Sequence, residues 1–219
     1  MVKAVFFDFN GTLYFDQDIN KETWKQTIKE LSNDKIDFES FFSNRKAVMD
    51  YIVIEDAFKM INKKYTNKEI EHWVNYKENK YRQYGIDHKR TVLAPGAERV
   101  LNDLISREIK LILCTSSIKE NVEYYFKYFN LSKWFDFDET VYDTGDYKNK
   151  SEMYKECFVR TKTKAGEVVV FEDSAKSISE AINAGVTKVV AINQNESLEL
   201  NEVKQSIRDF NELDFSIFD

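Results

Sequence analysis

Beyond its only proline, Pro95, the chain alternates helix-period segments with short runs that are apolar on both faces. Few folds accept that pattern. A strand that is apolar on both faces must be covered on both, which is the condition of a parallel sheet flanked by helices. The reading is a helix over 97–107, a strand over 109–114, a helix from Ser117, and a short strand near 140–142. A helix from Ser151, a strand over 168–171, a helix over 175–184 closed by Gly185 and a strand over 188–192 complete it. Residues 3–9, rich in Val and Phe, add a first strand that runs into the turn Asp8-Phe9-Asn10-Gly11. The expected fold is α/β: a doubly wound parallel sheet, Rossmann-like.

Between the first strand and the rest lies a block of different character. From Ile19 to Gly85 apolar residues recur at helical spacing, and Gly and Pro are absent until Gly85. Thr66-Asn67-Lys68-Glu69 has the form of a capping box, and Gly85 stands where a helix could close, with Ile70, Trp73 and Val74 facing inward. The block is expected to be an inserted α-helical cap, residues 17–89, on a core formed by 1–16 and 90–219. The connections over 14–18 and 87–94 would serve as hinges. With 219 residues, 42% of them hydrophobic, the chain can bury one good core and a smaller second one. The tail after Asn193 is acidic and has no clear pattern.

Several classes are disfavoured. A formal charge of -6 provides no broad basic field for a nucleic-acid backbone. No run approaches the ~20 apolar residues of a membrane span, and the apolar N-terminal stretch is broken by Asp8, Asn10 and Asp16 with no cleavage site after it. Cys114 and Cys157 have neither metal-ligand nor disulfide-framework spacing. A cytoplasmic protein with reduced thiols is expected, a monomer or weak dimer, with no nucleic-acid or membrane partner.

An open parallel sheet binds ligands at the C-terminal ends of its strands. Those ends carry Asp8 and Asn10, then Thr115 and Ser116, then Lys148 in the loop after the third strand, then Glu172 and Asp173. Each alone has an ordinary explanation as a turn former, a helix cap or a solvated pair. In order and together they supply a nucleophile, oxygen-binding donors, a neutralising cation and anchors for a hard metal ion, the parts of a phosphoryl-transfer site. Histidines 72 and 88 lie at no strand end. The aromatic runs 124–126 and 134–135 read as packing.

The segment Phe6-Phe7-Asp8-Phe9-Asn10-Gly11-Thr12-Leu13 resembles the first signature of haloacid dehalogenase-like phosphatases, and Leu111-Ile112-Leu113-Cys114-Thr115-Ser116 the second. Val169-Val170-Phe171-Glu172-Asp173-Ser174, continuing to Gly185, is similar to the acidic motif of the β-phosphoglucomutase-like branch, which carries an inserted helical cap. The resemblance implies that Asp8 attacks phosphorus and also binds Mg2+, with the backbone carbonyl of Asn10, Glu172 and Asp173 completing the metal set. It implies that Thr115 and the N–H of Ser116 hold the phosphoryl oxygens. Lys148 is preferred as the neutralising lysine because it lies 24 residues before Glu172, with Lys150 as competitor. In the cap, Lys77 and Arg45 are candidate substrate contacts, while Lys46 and Lys80 read as solvated.

Position 10 departs from the family, which usually has an acid/base Asp there. An amide cannot exchange that proton, a loss of roughly 10²–10⁴-fold in rate. Three readings follow: a leaving group that needs little protonation or a proton from elsewhere, a weak or inactive member that binds a phosphorylated ligand, or deamidation at Asn10-Gly11 that creates the acid.

Overall fold

The computed structural model describes residues 1–43, 45, 49–194 and 202–219. In chain order its elements are β1 (Ala4–Phe7), α1 (Gln17–Ser32), α2 (Phe38–Phe42), α3 (Asp50–Met60), α4 (Asn67–Asp87) and α5 (Ala97–Ser106). There follow β2 (Lys110–Ile118), α6 (Lys119–Phe129), β3 (Val141–Asp143), α7 (Lys150–Thr161), β4 (Val168–Glu172), α8 (Ala175–Asn183), β5 (Lys188–Ile192) and β6 (Gln205–Ile207). They form two compact units, one of residues 1–15 with 92–219 and one of residues 16–91. Among the described residues no helix is long and apolar enough to cross a membrane.

The first unit is built on a parallel sheet in the order β3-β2-β1-β4-β5-β6. The two central strands, β1 and β4, are buried at every position. Burial on both faces explains why, up to Glu172 at the end of β4, their sequences are runs of Val, Ala and Phe rather than alternating ones. The chain leaves β1 toward β2 and β3, then returns to β4 on the other side, so the direction of winding reverses between β1 and β4. Register sets what meets there: Phe7 pairs with Leu113 on β2 and with Phe171 on β4. The next residue along, Asp8, therefore lies between β2, which runs on past it, and the last residue of β4, Glu172.

Three local expectations are corrected. No side-chain capping bond starts α6 at Ser117; β2 runs on to Ile118, which is the N-cap. The Ser117 hydroxyl and N–H have other partners near the strand end, given below. Gly85 does not end α4, which continues to Asp87. Gly85 is buried within its last turn, and Lys89, at φ 52, takes the left-handed closing conformation. The tail adds an unforeseen strand, β6, parallel to β5. Phe210 follows it, fully buried and stacked 5.4 Å from Phe171. Three residues of strand are too short for periodicity to show.

The second unit packs α1, α2, α3 and α4 around Trp24, Ile28, Phe41, Val53, Phe58 and Ile70, with Trp73 and Val74 half-buried against them. The capping box forms as the sequence suggests: the Thr66 hydroxyl accepts from the Glu69 N–H and the Glu69 carboxylate accepts from the Thr66 N–H.

Candidate active site

Asp8 sits just beyond β1, nearly buried, its N–H donating 3.1 Å to the carbonyl of Phe171. That backbone bond ties it to β4, whose last residue, Glu172, is fully buried. A carboxylate oxygen from each of Asp8, Glu172 and Asp173 lies within 4.8 Å of the others. Gly11 shapes the other wall. Its φ of +75 is one that L side chains resist, and a Cβ there would stand 1.9 Å from the Asp173 carboxylate, so only glycine lets the chain pass.

The cation among these acids is Lys150, not Lys148. The Lys150 ammonium lies 2.6 Å from Asp8 Oδ1 and 2.6 Å from Glu172 Oε1. Lys148 is exposed, and its backbone N–H is bonded to Glu152. The physical reason for the correction is helix phase. Asn149 caps α7 by accepting from the Glu152 N–H, which makes Lys150 the first helical residue and stacks it one turn below Tyr154. Both side chains then reach the end of β4, where the Tyr154 hydroxyl donates to the same Oε1 of Glu172. Lys148, two residues earlier, precedes the helix.

Burial pushes the Glu172 carboxyl up to about 7 against the pull of the Lys150 ammonium, with Asp8 adding to the rise. Burial alone would lower Lys150, but Asp8 and Glu172 hold its ammonium well above the usual lysine range. Burial, reinforced by Glu172, raises Tyr154, which keeps the phenol a donor.

Opposite this cluster lies a group of hydroxyls. Thr115, buried, accepts 3.2 Å from the Ser117 N–H and donates 3.2 Å to the Ser117 hydroxyl, while Ser116 is exposed. Asn10 Oδ1 accepts from the Ser117 hydroxyl at 2.8 Å and from the Tyr125 hydroxyl at 3.0 Å. Tyr125 is itself fixed by stacking on Phe9, ring centres 4.0 Å apart. The side chain at position 10 is thus held by two neutral donors.

Ser117, Tyr125, Tyr154 and Lys150 complete a site that strand-end reading left partial. Tyr154 had a signal, the four-residue spacing from Lys150. The partners of Asn10 had none, being 107 and 115 residues away. Within the second unit the two basic candidates are engaged. Lys77 is buried and bonded to Glu78 at 2.8 Å and Asp50 at 3.2 Å, and Arg45 pairs with Asp56 at 3.2 Å and donates to the Phe41 carbonyl. Lys46 lies outside the described residues.

The donor set fits a hard divalent cation. Its ligands are all oxygen, and Glu172 Oε2 is buried with no hydrogen-bond partner among the described residues. One oxygen from each of the three carboxylates converges within 4.8 Å, close enough for a single small cation to be shared among them. Three carboxylates beside one ammonium also leave negative charge for a cation to balance. Asp8, Glu172 and Asp173 are the residues that would hold it.

A Rossmann-like parallel sheet that gathers acids, an ammonium and hydroxyls at its switch point has the architecture of a phosphoryl-transfer hydrolase. The comparisons agree. The model of the family described as "Hydrolase: haloacid dehalogenase-like hydrolase" matches residues 2–185, and the chain belongs to that family. It is similar to the crystal structure of a HAD hydrolase, family IA, variant 3, from Entamoeba histolytica HM-1:IMSS. The TM-score is 0.87 at 27% identity, over 99% of this chain and 97% of that one. It also resembles the β-phosphoglucomutase (pgmB) of Clostridium difficile, TM-score 0.77 at 22% identity over 99% and 95%. A third neighbour is a mutant CbbY from Rhodobacter sphaeroides in complex with xylulose-(1,5)bisphosphate, TM-score 0.78 at 16% identity over 100% of both chains.

Proposed function

We propose that the chain is a Mg2+-dependent enzyme that takes the phosphoryl group of a small phosphorylated metabolite onto Asp8 and passes it to water or an acceptor hydroxyl. The observation that carries this reading is the convergence of Asp8, Glu172 and Asp173 beside the buried Lys150 ammonium. A carboxylate oxygen of Asp8 forms the new bond to phosphorus as the bond to the leaving oxygen breaks, giving an aspartyl-phosphate. Lys150 neutralises charge there, and Thr115 with the N–H of Ser116 binds the phosphoryl oxygens. Bound Mg2+ would supply electrostatic stabilisation of the charge on the transferring group. One neighbour is named a β-phosphoglucomutase and another holds a sugar bisphosphate, which supports a small phosphorylated metabolite as the substrate class.

Asn10 narrows the chemistry. Its Oδ1 accepts from Ser117 and Tyr125, and an amide has no proton to lend at neutral pH. Substrates whose leaving oxygen is a weak base, such as acyl phosphates, lose least from that change. The same residue supports a second reading, in which the protein binds a phosphorylated ligand without turning it over.

The test is hydrolysis of acetyl phosphate and para-nitrophenyl phosphate with Mg2+ by the native protein, Asp8→Asn and Asn10→Asp. Native turnover on acetyl phosphate, abolished in Asp8→Asn, is the expected result. Activity in Asn10→Asp alone would favour the binding role, and native activity that survives Asp8→Asn would sink the nucleophile.

A further inference from the structure

The side chain that acts on Glu172 besides Lys150 belongs to a residue with no part in the chemistry above. Lys150 and Tyr154 lie four apart on α7, so one face of that helix presents both to the end of β4. Both go to the same atom: the Lys150 ammonium lies 2.6 Å from Glu172 Oε1, and the Tyr154 hydroxyl donates to it as well. The second oxygen is treated in the opposite way. Oε2 is buried and meets no hydrogen-bond partner among the described residues. Leaving a buried acceptor unpaired is costly, more so for a charged one, and an arrangement that doubles donors on one oxygen while stripping the other needs a cause.

We infer that Tyr154 is a positioning residue for the metal site: with Lys150 it ties down Glu172 Oε1, and so aims Oε2 at the cation or at a water on it. The inference rests on the Mg2+ reading above. Mechanically, Lys150 alone is a point contact about which the carboxylate can turn. A second donor from a ring buried in the core cluster that also holds Phe6, Val170 and Cys157 fixes the plane of the group. Tyr154 is almost wholly buried, so its hydroxyl acts through Glu172 rather than on substrate. A tyrosine present only to fill the core would serve equally well as phenylalanine.

The test is Mn2+ binding to the full chain, followed by the electron paramagnetic resonance signal of the free ion, together with melting of the metal-free protein. Native protein is expected to bind. Tyr154→Phe, which keeps the ring, is expected to bind about 10–100-fold more weakly, the usual effect of losing a partner that orients a metal ligand. Replacing Tyr154 with p-aminophenylalanine, which returns an N–H donor to the ring tip, is expected to recover most of that loss. Native binding with equal affinity in Tyr154→Phe overturns the inference and leaves the Mg2+ reading standing. So does a lowered metal-free melting temperature with Mn2+ affinity unchanged, the mark of a packing role. If the native chain does not bind Mn2+, both fall.

Discussion

Replacing Lys150 with methionine removes the ammonium that lies 2.6 Å from both Asp8 and Glu172 while keeping most of the side-chain volume. The two acids are left buried and facing one another. Breaking a buried pair by deleting one partner costs about 3–5 kcal/mol, and the lower end applies here because Glu172, already raised to about 7, can take up a proton and relieve part of the strain. For a chain of this length 1 kcal/mol moves a melting midpoint by about 2–4 °C, so Lys150→Met should melt about 6–12 °C below the native protein. Lys148→Met is the control. Its side chain is exposed, and a surface change of that kind stays within about 0.5 kcal/mol. The assay is a thermal melt of each variant by circular dichroism at pH 7.5, without metal and with millimolar MgCl2. Mg2+ should raise the Lys150→Met midpoint by more than it raises the native one, because a divalent cation then meets uncompensated acids. A Lys150→Met that melts with the native protein, or a Lys148→Met that is the damaged one, would refute the placement of the Lys150 ammonium between the two acids.

Gly11→Ala would put a methyl 1.9 Å from the Asp173 carboxylate at a φ of +75. It should destabilise the fold by about 1 kcal/mol or more and sharply weaken Mg2+ binding by isothermal calorimetry; unchanged binding would show that Asp173 is not needed where it stands. In the helical unit, burial raises Asp50 to about 6, with Glu78 adding to the rise and Lys77 opposing it. A carboxyl whose folded value exceeds its unfolded one stabilises at low pH and withdraws that stability as pH rises, here between about 4 and 6. With 31% of its side chain in contact with solvent, the effect is discounted to about 1–2 kcal/mol. Asp50→Asn should therefore compare better with the native protein at pH 7 than at pH 4.5 in urea melts, and an equal difference at both would contradict it.

Alternation of helix-period and wholly apolar segments was enough to specify a parallel sheet, because strands covered on both faces cannot afford polar positions. It also placed Asp8 and Glu172 at the ends of β1 and β4, though β2 runs three residues past Thr115, to Ile118. Asp8, Thr115 and Glu172 are legible because a charge or hydroxyl that closes an apolar run has nowhere to go but the sheet's C-terminal edge. Tertiary structure decided the rest. Two lysines stand two residues apart, and only the phase of α7, set by the Asn149 cap, selects Lys150 to face Asp8. Ser117 reads locally as a capping residue, but a hydroxyl goes to the partners that geometry offers it, and here these are Asn10, 107 residues away, and Tyr125, on α6. Lys77 reads as a candidate substrate contact and is instead buried between Asp50 and Glu78, 27 residues and one residue away along the chain. Pattern along a chain records which side chains must leave water. Which of them meet is decided by register and helix phase, to which one-dimensional periodicity is blind.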